Sequence, residues 1–276
     1  MNWRAIVTSP LGFLIGLSLG ALGGGGSILA VPALVYGAGQ SPRQATTTSL
    51  ILVGTVSLIG IIPHWRAGRV RFLPGLIFGL AGVGGSLLGS KWNKSVDPDV
   101  LLLAFSGLML VAAAAMWRRA SRTAVAEAGG PPLPAGPGPA PDTLVLTKVA
   151  VEPMVVLKVA VAGTVVGLLT GFFGVGGGFV IVPALVLALG FTMPEAVGTS
   201  LLVIAINSAV ALSTRLSGGS LDWSVIIPFM VTSLLGMRTG ARLAGTRDPA
   251  ELQRWFVFLL VAVALYTAGR SLVAIF

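Results

Sequence analysis

One stretch of this chain occurs twice, and it constrains the fold more than any other feature. The first copy runs from Gly12 to Leu50 and the second from Gly163 to Leu201, at a constant offset of 151 residues. Between Gly16 and Leu50, 16 of the 35 positions are identical to their partners without a gap. A repeated segment indicates a repeated structural unit, so the sequence predicts two homologous halves.

Each copy contains a glycine cluster inside an apolar run. The sequence from Gly20 to Val35 is GALGGGGSILAVPALV, and from Gly171 to Val186 it is GFFGVGGGFVIVPALV. Near-consecutive glycines interrupt a helix, because glycine loses more backbone freedom on ordering than any other residue. The sequence therefore predicts a helix that is broken at the glycine cluster in each half.

The polarity of the chain places it in a membrane. Hydrophobic residues make up 55% of the 276 residues, charged residues only 10%, and the mean hydropathy is +0.94. A soluble domain has about 25% charged residues, so this chain has too few polar side chains to cover a water-facing surface. The sequence predicts an all-α integral membrane protein, because helices satisfy their own backbone hydrogen bonds in lipid.

The same composition argues against several other classes of protein. The chain has no cysteine, one histidine and nine acidic residues, too few side chains for a metal cluster or a catalytic triad. We therefore expect no enzyme activity, no metal and no cofactor. The net charge of +9 comes from Lys and Arg residues between apolar runs, as in loops that orient a membrane protein, and not from a basic face that would bind nucleic acid.

The apolar segments fall into two sets of four. A stretch rich in Pro, Gly and Ala separates them, which divides the chain into an N-terminal membrane repeat (1–117), a cytoplasmic linker (118–152) and a C-terminal membrane repeat (153–276). About 20 apolar residues span a bilayer, so most segments fit one helix. The eight segments are Leu11–Ala38, Thr46–Pro63, Phe72–Ser90, Val100–Trp117, Val155–Leu189, Val197–Thr214, Trp223–Arg242 and Trp255–Ile275.

Two arrangements of these segments are open. If all eight cross and the N-terminus is inside, 11 Lys and Arg residues lie inside and 7 outside. If the first segment of each half is a re-entrant hairpin and the N-terminus is outside, 12 lie inside and 6 outside, and the halves are inverted. The 28 residues of the first segment suffice for a broken helix that still spans, which slightly favours eight crossings.

The glycine clusters are the first candidates for a binding site. Discontinuous helices at corresponding positions of two repeats are the best sequence indication of a transporter's substrate site. The helix after each break presents free N–H groups and a positive dipole end, which suit an anion. The alternative is that the glycines serve close helix packing. The candidates are Gly24, Gly25, Gly26, Ser27, Gly176, Gly177 and Gly178.

Polar residues on later segments form a second set of candidates. Their hydroxyl and amide groups can bind an oxyanion, cap their own helix or bond between helices. An arginine at membrane depth indicates function by default, although it can also reach the interface by snorkelling. The candidates are Thr47, Thr48, Ser49, Thr199, Ser200, Asn207 and Arg238. His64, the only histidine, is either structural or a proton-coupling group.

These residues resemble a known family, the TauE/SafE sulfite exporters. The resemblance lies in the paired pattern GxxxGxxGxGGGxxxxPxL followed by AxxTSL. The first copy reads GLSLGALGGGGSILAVPAL and then ATTTSL, and the second reads GLLTGFFGVGGGFVIVPAL and then AVGTSL. A short basic or polar turn follows in each half, HWRAGRVRF and RLSGGSLDW. The resemblance covers nearly the whole chain apart from the linker.

The resemblance implies a multi-pass transporter in the cytoplasmic (inner) membrane for a small anion, often a sulfur-containing oxyanion or an organosulfonate. We expect this anion and the lipid bilayer as partners, with protons or the membrane potential as the driving force. The two halves would rock against each other to give alternating access. An anion channel or a non-transporting membrane subunit is the alternative.

Overall fold

The computed structural model describes residues 3–93, 98–129, 153–173, 178–213 and 222–275. All regular structure in these ranges is helical, which confirms the prediction of an all-α membrane protein. The helices are α1 (Trp3–Leu22), α2 (Gly25–Pro32), α3 (Pro42–Arg66), α4 (Phe72–Asn93), α5 (Pro98–Gly129), α6 (Pro153–Phe173), α7 (Gly178–Leu187), α8 (Met193–Ser213), α9 (Trp223–Thr246) and α10 (Pro249–Ile275). A π-helical turn, Ala33–Gly37, extends α2.

Six of the described helices are long and apolar enough to cross a membrane: α3, α4, α6, α8, α9 and α10. Shorter apolar helices cover Pro10–Leu22, Gly25–Val35 and Gly178–Leu187. The helix is broken at the glycine cluster in each half, as predicted: α1 ends at Leu22 and α2 begins at Gly25, and α6 ends at Phe173 and α7 begins at Gly178. Helix α5, which contains the fourth predicted segment, continues beyond the predicted end of the first repeat at 117 as far as Gly129.

The closest helix packing joins the first half of the chain to the second. A Cβ atom on Gly16 of α1 would overlap the carbonyl oxygen of Ser233 on α9, and one on Gly167 of α6 would overlap the carbonyl oxygen of Gly82 on α4. Both pairs are related by the offset of 151 residues. Backbones can approach this closely only where a side chain is missing, so glycine fixes both contacts.

The middle of the bundle is an antiparallel crossing of α3 and α8, which occupy equivalent places in the two copies. A Cβ on Gly54 would lie 2.9 Å from the Cβ of Ser208, and one on Gly60 would lie 3.3 Å from Leu201. Contacts advance along α3 while they retreat along α8, so the two helices run in opposite directions. The last helices of the two copies also run antiparallel, since Gln253 at the start of α10 donates a hydrogen bond of 2.8 Å to the Met116 carbonyl late in α5.

The first glycine break reverses the chain. A Cβ on Gly26 in α2 would lie 2.5 Å from the Ile15 carbonyl oxygen and 2.8 Å from the Leu19 nitrogen in α1, and one on Gly37 would lie 2.6 Å from Leu11. Residues 15 and 26 of one continuous helix would be about 16 Å apart. Therefore α2 packs back along α1, and the preference for eight crossings is wrong for this segment, which is a re-entrant hairpin.

The second glycine break also reverses the chain. Phe179 at the start of α7 packs edge-on against Phe105 early in α5, with ring centroids 4.8 Å apart. Arg119, later in α5, donates to the Val186 carbonyl near the end of α7, so α7 runs in the direction of α5. Because α6 runs with α4 and α5 follows α4 after a short connection, α7 runs against α6.

The outer faces of the helices are apolar, as contact with lipid requires. Leu80 and Phe258 are 65% and 76% exposed. Exposed tryptophans lie at both ends of the bundle, where amphipathic rings favour the membrane–water interface. Trp65, Trp117 and Trp255 mark one end, and Trp92 and Trp223 mark the other.

Candidate functional site

The starts of α2 and α7 meet inside the bundle. A Cβ on Gly24 would overlap the carbonyl oxygen of Gly178, and a Cβ on Gly178 would overlap the Ser27 hydroxyl and lie 3.1 Å from the Gly24 carbonyl oxygen. Ser27 and Gly178 are equivalent residues of the two copies, 151 positions apart. The first turns of α2 and α7 therefore touch each other, and we call this contact the tip junction.

The depth of the tip junction follows from α9. Gly20 of α1 packs against Met237 and Ala241, beyond the midpoint of α9 but short of its end at Thr246. The turn at Gly23 and Gly24 comes one helical turn later. The hairpin therefore ends within the length of the spanning helices. Lipid at this depth contains no water, so backbone N–H and C=O groups need a hydrogen-bond partner in the protein.

The start of α2 offers its first N–H groups without a side-chain cap. Its N-cap residue, Gly24, makes no side-chain hydrogen bond. The Ser27 hydroxyl donates to the Gly24 carbonyl at 2.7 Å, which occupies an acceptor and not the N–H groups. A helix start of this kind has the hydrogen-bond donors and the dipole sign that an anion needs.

Gly25 and Gly26 have packing contacts of their own. A Cβ on Gly25 would lie 2.8 Å from Leu259 of α10, and Gly26 is the residue that lets α2 lie on α1. Of the candidates in the first cluster, Gly24 and Ser27 therefore reach the tip junction, whereas the missing side chains of Gly25 and Gly26 serve helix packing. Gly176 and Gly177, predicted for the second cluster, lie outside the described residues.

One wall of the tip junction is the start of α8. Gly23 ends α1 with a φ of +69°, and a Cβ there would overlap the Ser200 hydroxyl and lie 3.1 Å from the Val197 Cα. Ser200 is fully buried and donates to the Val197 carbonyl at 2.8 Å. Of the predicted hydroxyls on α3 and α8, Ser200 is the one that the structure brings beside the first hairpin turn.

The two threonines at matching positions lie far apart. Thr48 precedes Gly54 in α3 and Thr199 precedes Ser208 in α8. Because the helices cross antiparallel at Gly54 and Ser208, the threonines lie on opposite sides of the crossing, about 22 Å apart along the helices at a rise of 1.5 Å per residue. One small anion cannot contact both.

Both threonine patches are packed into the protein. Thr48 and Thr199 are 1% and 0% exposed, and Ser49 is buried. The Thr199 hydroxyl accepts a hydrogen bond of 3.0 Å from the backbone N–H of Arg71. Ser49 donates to the Thr46 carbonyl at 2.9 Å, and Thr47 is partly buried and has a partner.

Asn207 and Arg238 have contrasting surroundings. Asn207 lies two helical turns beyond Ser200 on one face of α8, and its Oδ1 atom is buried without a hydrogen-bond partner among the described residues. An unpaired amide oxygen at this depth is costly, which is consistent with a position that a ligand or water satisfies. Arg238 is exposed on α9, so its side chain does not reach the tip junction, and its role in binding stays a prediction.

Three polar contacts in the structure were not predicted from the sequence. The buried His64 approaches the Gly20 carbonyl with Nε2 at 3.2 Å, which ties the end of α3 to α1. Arg71 forms an ion pair with Glu195 of α8 at 2.7 Å. Arg119 holds the last turn of α7 through the Val186 carbonyl, and Arg270 stands 151 positions later, a signal in the repeat that could have identified Arg119.

Comparison with known proteins identifies the family of the chain. The sulfite exporter TauE/SafE family matches residues 9–267, which is nearly the whole chain. This chain belongs to the TauE/SafE family. The resemblance noted in the sequence is thus confirmed, and the chain is a membrane transporter of that family.

Two curated relatives are similar to the TauE/SafE chain over nearly their full lengths. A probable membrane transporter protein of Xylella fastidiosa (strain 9a5c) is 34% identical over 274 residues, which cover 96% of this chain and 95% of the relative. The probable membrane transporter protein YunE of Bacillus subtilis (strain 168) is 23% identical over 275 residues, 97% of each chain. No solved structure matches the chain. Among its described residues, no group of three or more His, Cys, Asp or Glu side chains could hold a metal ion.

Proposed function

We propose that this TauE/SafE protein is a secondary transporter that moves a small anion across the cytoplasmic membrane, with a sulfur-containing oxyanion or an organosulfonate as the substrate class. One observation carries the proposal: the uncapped start of α2 meets the start of α7 at the tip junction, through Gly24, Ser27 and Gly178. Two helix N-termini that converge at membrane depth supply several N–H donors and two positive dipole ends to one ligand.

The antiparallel relation of the two halves supports alternating access. Inverted repeats in transporters hold the substrate near the membrane midplane and expose it to one side at a time. In this proposal the tip junction holds the anion, with Ser200 beside it and Asn207 deeper on the same face of α8. The patches at Thr48 and Thr199 then belong to opposite access routes, because they lie on opposite sides of the crossing of α3 and α8.

The distribution of charge supports one orientation. The turn between α3 and α4, the end of α5 and the connection between α9 and α10 share one end of the bundle, which follows from the contact of Gln253 with Met116 and from the approach of Arg69 to Gly245. This end carries most of the basic residues, and cytoplasmic loops are rich in Lys and Arg. It is therefore the cytoplasmic end in the proposal, and the N-terminus is outside.

The test is uptake of labelled sulfite, sulfate, sulfoacetate and taurine by liposomes that contain the purified protein, with and without an imposed membrane potential. A carrier gives saturable uptake of one of these anions and counter-transport when the same anion is present inside. Single-channel currents without saturation would assign a channel instead. If none of the four anions moves, the substrate class proposed here is wrong.

Replacement of Ser27 by Ala tests the tip junction itself. The hydroxyl touches the position of Gly178 and donates to the Gly24 carbonyl. Its loss removes a hydrogen bond that orders the junction, and an effect of about 1 kcal/mol on anion binding should raise the half-saturation concentration about fivefold. Arg238→Gln is the comparison variant: a site at the tip junction leaves its half-saturation unchanged, whereas the predicted binding role of Arg238 requires half-saturation to rise. The reverse pattern would move the site from the tip junction to Arg238.

A further inference from the structure

A second contact between the halves lies at the cytoplasmic end. The turn after α3 is held against the start of α8 by Arg71, Glu195 and Thr199. The Arg71 side chain donates from Nε and Nη2 to Glu195 Oε1 at 3.0 and 2.7 Å, and the Arg71 backbone N–H donates to the Thr199 hydroxyl at 3.0 Å. We call this set of three residues the latch.

The latch closes over buried parts of α8. Thr199 is fully buried, and a Cβ on Gly198 would lie 2.6 Å from the Arg69 carbonyl oxygen and 3.2 Å from the His64 Cβ. Val197 and Ser200 lie on the side of α8 turned away from Glu195 and Thr199, and they face the first hairpin turn at Gly23. His64, at the end of α3, packs beside Gly198 and also reaches the Gly20 carbonyl of α1 at 3.2 Å. The end of α3 therefore lies against both α1 and α8 at this end of the bundle, and the latch holds the turn that follows it, so access to the tip junction from this end requires the turn to lift.

The same positions at the opposite end of the bundle cannot form this contact. With the offset of 151 residues, Glu195 corresponds to Gln44 and Arg71 to Asp222. Gln44 completes the cap of α3 by accepting from the Ser41 N–H at 3.4 Å. Asp222 caps α9 by accepting from the Ser224 N–H at 3.1 Å. A neutral amide and a carboxylate form no ion pair, so Gln44 and Asp222 cannot reproduce the ion pair of Glu195 with Arg71.

Glu195 both caps the start of α8 and takes part in the latch. Its Oε2 atom accepts from the N–H and the hydroxyl of Thr192 at 3.1 and 3.0 Å, and Thr192 corresponds to Ser41. One oxygen of Glu195 therefore does what Gln44 does for α3. The other oxygen is left for Arg71, and only a carboxylate at this position attracts the guanidinium as an ion.

We propose that the latch is a one-sided gate: Arg71, Glu195 and Thr199 join the two halves on the cytoplasmic side and hold that side closed, whereas the equivalent residues outside cannot form this ion pair. The gate rests on the proposed transport function, because it regulates access to the tip junction. It biases the free protein toward the state that opens outward. Loss of the ion pair raises the fraction of molecules that open toward the cytoplasm.

The experiment uses a single cysteine as a reporter of opening. The chain has no natural cysteine, so Val197→Cys alone introduces one thiol, at a fully buried position opposite Gly23. The rate of its reaction with a maleimide is measured on purified protein, before and after Glu195→Gln or Arg71→Gln is added. Glu195→Gln keeps an amide that can cap α8, as Gln44 caps α3, and removes the charge.

The expected result is a two- to five-fold faster reaction with either charge removed, which is roughly the contribution of a partly exposed ion pair. The exchanged pair, Arg71→Glu with Glu195→Arg, should return the rate toward that of Val197→Cys alone. Arg247→Gln is the matched control, because it removes an exposed ion pair with Glu251 (3.4 Å) within one half of the chain, and it should leave the rate unchanged.

Two outcomes would overturn the gate: unchanged labelling when Arg71 or Glu195 is neutralised, or an equal acceleration by Arg247→Gln. Labelling is read without any substrate, so it separates the gate from the transport proposal. Faster labelling without uptake of any tested anion supports the gate and contradicts the proposed substrate class. Normal uptake with unchanged labelling contradicts the gate and supports the transporter.

Discussion

At the scale of the residue, missing side chains decide how closely the helices approach. The spacing of Gly12, Gly16 and Gly20 is typical of close helix packing, and their contacts with α9 show that packing. Sequence could predict the close approach because glycine has no Cβ. It could not predict the partner, because Ser233 and Met237 are ordinary residues of a helix from the other half.

Gly16→Ala tests this packing. The added Cβ would overlap the Ser233 carbonyl oxygen, and relief requires a backbone shift that costs about 1–3 kcal/mol. We expect a clearly lower unfolding temperature in detergent. Gly107→Ala is the control, since a Cβ there meets nothing within 4 Å, and it should be neutral or slightly stabilising. Equal effects of the two substitutions would contradict the packing argument.

At the scale of the element, the glycine break was predictable but its direction was not. A run of glycines removes the helical preference and permits a kink as well as a reversal. The reversal depends on what α2 contacts afterwards, and those contacts, Gly26 on α1 and Gly37 beside Leu11, are tertiary. For the same reason the repeat predicted that Thr48 and Thr199 are equivalent, but the antiparallel crossing of α3 and α8 is what separates them.

The hairpin turn can be tested with two glycines of the same conformation. Gly23 and Gly68 have φ values of +69° and +68°, and alanine in this region costs about 1–2 kcal/mol at either position. Only at Gly23 would the new Cβ also overlap the Ser200 hydroxyl. Gly23→Ala should therefore lower thermal stability more than Gly68→Ala and also reduce anion uptake.

Adding Ser200→Ala gives the internal check on this prediction. Removal of the hydroxyl relieves part of the overlap, so the double variant Gly23→Ala, Ser200→Ala should recover stability relative to Gly23→Ala alone. An additive loss instead would mean that Gly23 and Ser200 do not interact across the hairpin turn.

At the scale of the whole molecule, the hairpins determine how the halves face each other. A half that contains one re-entrant hairpin and three further helices ends on the opposite side from its start. The second half then begins from that side, and each of its helices runs against its equivalent in the first. In this arrangement 12 Lys and Arg residues lie inside and 6 outside, and with eight crossings 11 lie inside and 7 outside. That difference is too small to decide, whereas the contacts of α3 with α8 decide it.

Sidedness of two helix ends tests the arrangement directly. Ala250 at the start of α10 and Ser224 at the start of α9 are both exposed, and a chain without natural cysteine allows each to be replaced by Cys singly. We expect an impermeant thiol reagent added to intact cells to label Ser224→Cys and to spare Ala250→Cys. Ala67→Cys, in the turn after α3, should be spared as well, because this turn shares an end of the bundle with α10.

Eight crossings with the N-terminus inside would give the opposite result for two of these three positions. Ala250 would then lie outside and Ser224 inside, while Ala67 would stay inside. Labelling of Ala250→Cys but not Ser224→Cys would therefore contradict the inverted halves, and with them the cytoplasmic position of the latch. Labelling of Ser224→Cys alone would place Arg71 and Glu195 on the cytoplasmic side, since the approach of Arg69 to Gly245 puts the turn after α3 beside the end of α9.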